Sequence, residues 1–342
     1  MTAKEIIKRA IRFNNPERIG LSFNSPHIND IYYIAIPGEV LYTPWGSDPA
    51  LKERVKWFNG EVRLDIFGNI WGRLDDTNRG ECIKGVIQEE WMEPEDVPLP
   101  ALKSEWFEKA ASEPEDMGQR YVVGSLPGMP FSIMRTMRGM ENFLVDVMLE
   151  KERVIELGSR IVDFVEQMVK AYKAVGADGI MFWEDWATQQ ALLVSPALWR
   201  EIFKPWYSRL ARLCHQNGMH VIMHSCGHIH EIVEDLIEAG IDVLQLDQPG
   251  LMGVERLSSE FGGRVAFFCP VDIQKVMPLG DRKLIEEEAR RMISLLGRFN
   301  GGFIAMDYGA WEDIRVKEEW AQWARDVFIR EGNYTHEHNT SA

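Results

Sequence analysis

A histidine and a cysteine stand two positions apart in HSCG (224–227), directly after the apolar run HVIM, and His228 and His230 follow closely. Residues two apart on a strand face the same side, so His224 and Cys226 point together while Ser225 points away. An imidazole nitrogen and a thiolate at this spacing bind one Zn2+, at roughly 2.0–2.1 Å and 2.3 Å. Two ligands do not make a site. Cys269 would complete a His-Cys-Cys set that leaves a position open for water or substrate, and Glu184, Asp247 or Asp307 would offer a carboxylate instead. His228 and His230 flank the start of the next helix, where exposed or capping roles are the ordinary ones.

Other chemistry-bearing residues collect after similar apolar runs. Glu184 and Asp185 are adjacent, so their side chains diverge: one faces the cleft as general base or ligand orienter and the other anchors a loop. Asp272 is a third candidate proton handler. Trp186, Gln189, Gln248 and Tyr308 follow the same strand ends as candidate substrate contacts, and Arg135 and Arg138 in FSIMRTMRG are candidate grips for a substrate carboxylate. Trp45, Trp57, Trp71, Trp183 and Trp186 lie in loops or at a strand end and are expected to wall an apolar pocket, whereas Trp199, Trp206, Trp320 and Trp323 fall in helical patterns and read as packing residues.

The elements that must position these groups alternate. Short apolar runs at 18–23, 120–125, 178–183, 220–225, 242–247, 264–269 and 302–307 are interleaved with helical patterns at about 141–175, 197–217, 229–239, 254–261, 282–298 and 316–330. Such alternation implies parallel strands with crossover helices. With one weakly patterned strand allowed, the count reaches eight, which predicts an α/β fold: a (β/α)8 TIM barrel with an aromatic-rich N-terminal extension. The chain reads as one domain over 1–332, with an irregular insertion at about 25–115 that holds antiparallel hairpins near 64–76, and a loose tail at 333–342. No G-x-G-x-x-G or P-loop follows any run, which argues against a dinucleotide or NTP site. In a barrel, catalytic groups belong at the C-terminal strand ends, and the residues named above fall there.

Composition narrows the class further. A net charge of −15 with no basic run excludes nucleic acid as an expected partner. Four cysteines in a chain of 342 residues do not form a disulfide framework, and free thiols suit a reducing compartment. The opening MTAKEIIKRAIRF is an amphipathic helix pattern without an apolar h-region, and no apolar run reaches membrane-spanning length, so a soluble cytoplasmic protein is expected, with no membrane partner.

The segments EDWATQQALLVSPALWREIFKPWY, HSCG, DVLQLDQP, CPVDIQKVMPLG and GGFIAMD, in that order, resemble the uroporphyrinogen decarboxylase superfamily, and within it the branch of cobalamin-associated methyltransferases. AIRFNNPERIGLSF and IWGRLDDTNRGE are similar to the same branch, so the resemblance covers most of the chain. It implies a barrel and a zinc-dependent methyl transfer between a corrinoid (cobalamin), free or on a corrinoid protein, and a small-molecule donor or acceptor such as a methoxylated aromatic or a thiol. It also implies a homodimer. The family's decarboxylases carry an arginine-rich N-terminal motif, and LSFNSPHIND contains no arginine. His224 and Cys226 match the methyltransferases' zinc-binding pair. Their late cysteine would fall near the end of GGFIAMDYG, where Asp307, Tyr308 and Gly309 stand, so Cys269 or a carboxylate such as Asp307 takes its place. A metal-independent decarboxylase or a non-catalytic tetrapyrrole-binding relative is the alternative.

Overall fold

The computed structural model describes residues 1–46, 48–112 and 117–334. Its first element is the helix Ala3–Ile11, opened by the Thr2 hydroxyl, which accepts from Glu5 N at 3.2 Å. Eleven strands follow in chain order: β1 (Gly20–Ser22), β2 (Ile31–Ala35), β3 (Glu61–Leu64), β4 (Ile70–Arg73), β5 (Glu81–Lys84), β6 (Tyr121–Ser125), β7 (Gly179–Trp183), β8 (His220–His224), β9 (Val243–Gln245), β10 (Ala266–Cys269) and β11 (Phe303–Met306). Eight of them pair in parallel in the order β1-β11-β10-β9-β8-β7-β6-β2, the other three form an antiparallel sheet, and helices surround the whole as in a (β/α)8 barrel.

The barrel is nearly closed. At the seam, β1 and β2 share no ladder but are tied through Asp30, whose N–H donates to Leu21 O at 2.7 Å and whose carboxylate takes Arg18 at 2.7 and 2.8 Å. The weakly patterned eighth strand is therefore β2, IYYIA, which lies inside the stretch read from sequence as irregular insertion. Its exposure is mixed, with Ile31 and Ile34 buried and Tyr33 and Ala35 exposed, at the seam of an incompletely closed sheet. Runs expected as one long helix at 141–175 form two, Met140–Leu149 and Lys151–Ala174, with Glu150 between them outside helical geometry (φ −124°, ψ 42°).

Strand alternation divides the core in two. Residues facing the axis, among them Tyr121, Val123, Met181, Ile222, Val243, Ala266, Phe268 and Ile304, form the inner cluster, and the opposite faces pack outward on the helices. Ile7 and Ile11 of the first helix join the inner cluster, so that helix plugs the N-terminal end of the barrel. Lys4 and Lys8 fasten the plug to Asp178 at 2.9 and 2.8 Å. Burial alone would raise the Asp178 carboxyl, but the two lysines outweigh it and hold it below its usual range.

With one end plugged, the C-terminal end is left as the mouth, and the β3–β5 sheet sits at its rim. No helix among the described residues is long and apolar enough to cross a membrane. Asn333 bridges to Arg18 and Tyr334 N donates to Glu17 O at 3.0 Å, while the rest of the expected tail, 335–342, lies outside the described residues.

Candidate metal centre at the barrel mouth

The alternation that fills the barrel also selects which polar groups enter its mouth. His224 is the last inward residue of β8, paired in register with Trp183 of β7 and Gln245 of β9. Beyond β7 the same alternation turns Glu184 outward and Asp185 inward. Beyond β8 it turns Cys226 inward, and Gly227 (φ +83°) then reverses the chain where a side chain would come within 2.3 Å of Ala187 O.

Asp185, His224 and Cys226 meet there. Their ligand atoms lie within 4.8 Å of one another, with His224 Nε2 3.5 Å from Asp185 Oδ1 and 3.4 Å from Cys226 Sγ. Tetrahedral bonds of zinc length separate ligand atoms by about 3.4–3.6 Å. The three groups thus fit a zinc ion with one position open, and the donor set of imidazole, thiol and carboxylate suits that metal.

The imidazole is held in one orientation. His224 Nδ1 contacts Gln245 Oε1, while the Gln245 amide nitrogen donates to Asp247 Oδ1 at 2.7 Å and reaches Met306 Sδ at 3.3 Å. Because the amide gives its hydrogens to a carboxylate, its oxygen must face the ring, so Nδ1 is the donor and Nε2 is directed at Asp185 and Cys226. Burial would lower the His224 pKa, but its bonds to Asp185 and Cys226 and the charge of Asp247 carry it up to about 10. Burial would likewise raise Asp185, yet the bond to His224, the Cys226 N–H at 2.9 Å and the charges of His224 and Arg135 hold it at about 2. A metal-free centre therefore keeps a proton on Nε2 where a divalent cation would take its place.

Glu184 serves the frame. Fully buried, it accepts from Met129 N at 3.1 Å and Ser132 N at 2.9 Å and takes the hydroxyl of Tyr207, and burial lifts its carboxyl to about 7. These bonds dock the helix Pro130–Arg138 on the end of β7, which brings Arg135 Nη2 to 3.8 Å from Asp185.

Cys269 is not brought to this group. It ends β10 on the outward face, 0% exposed in the packing between barrel and helices, and burial pushes its thiol well above the usual range. Asp307 is outward too, bound by the buried Arg325 through two 3.0 Å contacts and by Asn24 N at 2.8 Å. Asp247 and Tyr308 do line the mouth, together with Tyr33, Arg79, Trp183 and Met306, around a cavity of about 330 Å³.

The remaining expected site residues are dispersed. Asp272 caps its own loop, accepting from Gln274 N and Lys275 N at 2.8 and 2.7 Å. Trp186 is fully buried among Phe131, Trp199, Phe203 and Tyr207. Arg138 binds Asp146 at 2.7 Å and two carbonyls, Gln189 is exposed in the loop after β7, and Gln248 faces the Gly227 N–H at 3.4 Å. His230 pairs with Glu260 at 2.8 Å on the surface. Two participants escaped the sequence reading, Asp185 as a third ligand group and Gln245 as the holder of His224. Both follow from alternation: Asp185 is two residues beyond inward Trp183, and Gln245 two beyond inward Val243.

Residues 104–306 match the family model described as Uroporphyrinogen decarboxylase (URO-D). Among solved structures, a methyltransferase from Methanosarcina mazei superposes with a TM-score of 0.66 at 14% identity, covering 96% of this chain and 98% of that one. A 3-keto-D-glucoside 4-epimerase from E. coli gives 0.41 at 14% identity over 66% and 82% of the two chains. A D-psicose 3-epimerase from Clostridium cellulolyticum H10 gives 0.38 at 9% over 67% and 82%. No curated protein sequence matches the chain.

Proposed function

The chain belongs to the uroporphyrinogen decarboxylase family, and from that premise we propose that it is a zinc-dependent methyltransferase that passes a methyl group between a small molecule and a corrinoid. The observation that carries the reading is the Asp185-His224-Cys226 group at the open end of the barrel. A buried carboxylate pair alone would suit a decarboxylase, but a thiol, an imidazole and a carboxylate converging on one point suit a metal. The structural likeness to a methyltransferase over nearly the whole chain supports the same choice.

Bound zinc would supply Lewis acidity, lowering the basicity of a thiol or of the heteroatom that carries the methyl group. The chain's residues do the rest. Asp185, His224 and Cys226 hold the ion, and Gln245, itself held by Asp247, fixes the ring. Trp183 and Tyr308 wall the approach, and the mouth stays open toward solvent, where a corrinoid on a partner protein in the cytoplasm would be presented.

The test is spectroscopic. Reduced cobalamin mixed with zinc-loaded protein and a methyl donor, methoxylated aromatics first, is expected to acquire the methyl-cobalamin spectrum, and Cys226→Ala is expected to abolish the change. Decarboxylation of an organic acid that survives chelation would instead establish the metal-independent lyase.

A further inference from the structure

A second cavity, of about 260 Å³, lies beside the mouth between the β3–β5 sheet and the barrel rim, and Trp183 lines both. Its volume falls just below the range usual for small-molecule sites, so it suits only a compact guest. Its walls are flat and apolar: Tyr42 and Trp71 from the sheet side, Trp183 and Ile133 from the barrel side.

The polar groups in this lining are nearly all spent. Asp65 accepts four N–H bonds, from Phe67 N, Asn69 N, the Asn69 amide and the Trp71 indole, at 2.8–2.9 Å. Asn69 Oδ1 takes Val86 N at 3.0 Å, and the hydroxyls of Ser132 and Thr136 both donate to backbone carbonyls at 2.8 Å. Arg135 is different. Its side chain is 24% exposed, and its guanidinium lies over Phe131 at 5.3 Å, pairs with Asp185 at 3.8 Å and makes no hydrogen bond to any described residue. A fork of five N–H donors whose ion-pair neighbour stands at 3.8 Å, beyond hydrogen-bond length, is matched by a carboxylate.

We propose that this cavity binds a compact monocarboxylate with a flat apolar body, its carboxylate on Arg135 and its body against Trp183 and Trp71. As the seat of the methyl-bearing substrate the assignment rests on the methyltransferase reading; as a binding site for the acid it does not, because none of the three candidate metal ligands lines the cavity. Arg135 thereby selects for acids, and Trp183, shared by both cavities, sets the path from this seat to the metal.

The test uses sodium benzoate as probe, titrated into the full chain by calorimetry, in both zinc-free and zinc-loaded protein, with benzyl alcohol and acetate as controls. Benzoate is expected to bind in both forms, and Arg135→Gln to weaken it roughly 10- to 100-fold, the loss of one charge-assisted pair, while leaving benzyl alcohol unchanged. Trp183→Ala is expected to weaken benzoate and benzyl alcohol alike. Far-ultraviolet circular dichroism and melting temperature establish that each variant is folded, and Arg135→Lys serves if Arg135→Gln is not. No benzoate binding at millimolar concentration, undiminished binding to the folded Arg135 variant, or equal binding of acetate would overturn the proposal. Zinc content is measured in the same samples, so benzoate binding without zinc would retain this site and remove the methyltransferase reading, and zinc without benzoate binding would do the reverse.

Discussion

The Nε2 of His224, at the end of β8, and the Oδ1 of Asp185, two residues beyond the end of neighbouring β7, face each other at 3.5 Å in the barrel mouth. That approach makes a carboxylate, rather than a second cysteine, the third member of the candidate metal centre. Asp185→Ala and Cys226→Ala are each expected to lose the bound zinc, and Cys269→Ala to keep it. Elemental analysis after dialysis against a weak chelator reads the difference.

Gln245 touches no metal ligand atom except through the His224 ring, yet it decides which nitrogen carries the proton. Gln245→Leu removes the acceptor for Nδ1 while keeping side-chain bulk. Zinc affinity, measured by competition with a chromophoric chelator, is expected to fall about 10- to 100-fold, the usual cost of losing such a support. Unchanged affinity would mean that the ring is oriented by its ligands alone.

At the plugged end, His220 is buried with both ring nitrogens occupied: Arg12 Nε donates to Nε2 at 3.1 Å, and Nδ1 meets the Tyr121 hydroxyl at 2.8 Å. The hydroxyl donates to Asp178 O at 2.9 Å, so Nδ1 must be the donor to it and the ring is neutral. Burial, with the charge of Arg12, lowers the His220 pKa from 6.5 to about 4 against the opposing pull of Asp242. The fold prefers the neutral ring. Its contribution to stability is therefore full above pH 6.5 and is lost as pH falls from 6.5 toward 4, by at most about 3 kcal/mol. Urea unfolding at pH 7.5 and pH 5 should show a smaller drop for His220→Gln than for the parent protein.

Arg325 and Asp307 are 2% and 3% exposed, and their pairing closes the outward side of β11. Removing one partner leaves the other charged and buried, so Arg325→Met is expected to cost about 3 kcal/mol or more. The double variant Arg325→Met with Asp307→Leu should recover much of that loss, because no buried charge remains. Zinc content should be unaffected in any variant of the pair that folds, which separates a structural Asp307 from a ligating one.

Much of this architecture was legible before any coordinates. The alternation of apolar runs with helical patterns located β1 and β6 through β11, because buried parallel strands are written as short continuous apolar stretches. β2 was not legible, since IYYIA lies at the seam, is half exposed, and is embedded in loop-rich sequence. The His224-Cys226 pair was legible from spacing. Cys269 was misassigned because position at a strand end was read without its direction: in register, Phe268 faces the axis, so Cys269 faces the helices. The same rule, applied to Trp183, would have chosen Asp185 over Glu184. Trp186 and Arg138 could not be placed by any periodicity, because their surroundings are assembled from segments distant in sequence.

The most direct measurement is zinc-edge X-ray absorption on the zinc-loaded protein. A centre built from Asp185, His224 and Cys226 predicts a single sulfur ligand at about 2.3 Å, with nitrogen and oxygen ligands near 2.0–2.1 Å. Two sulfurs in the ligand shell, or a protein that takes up no zinc, would contradict it.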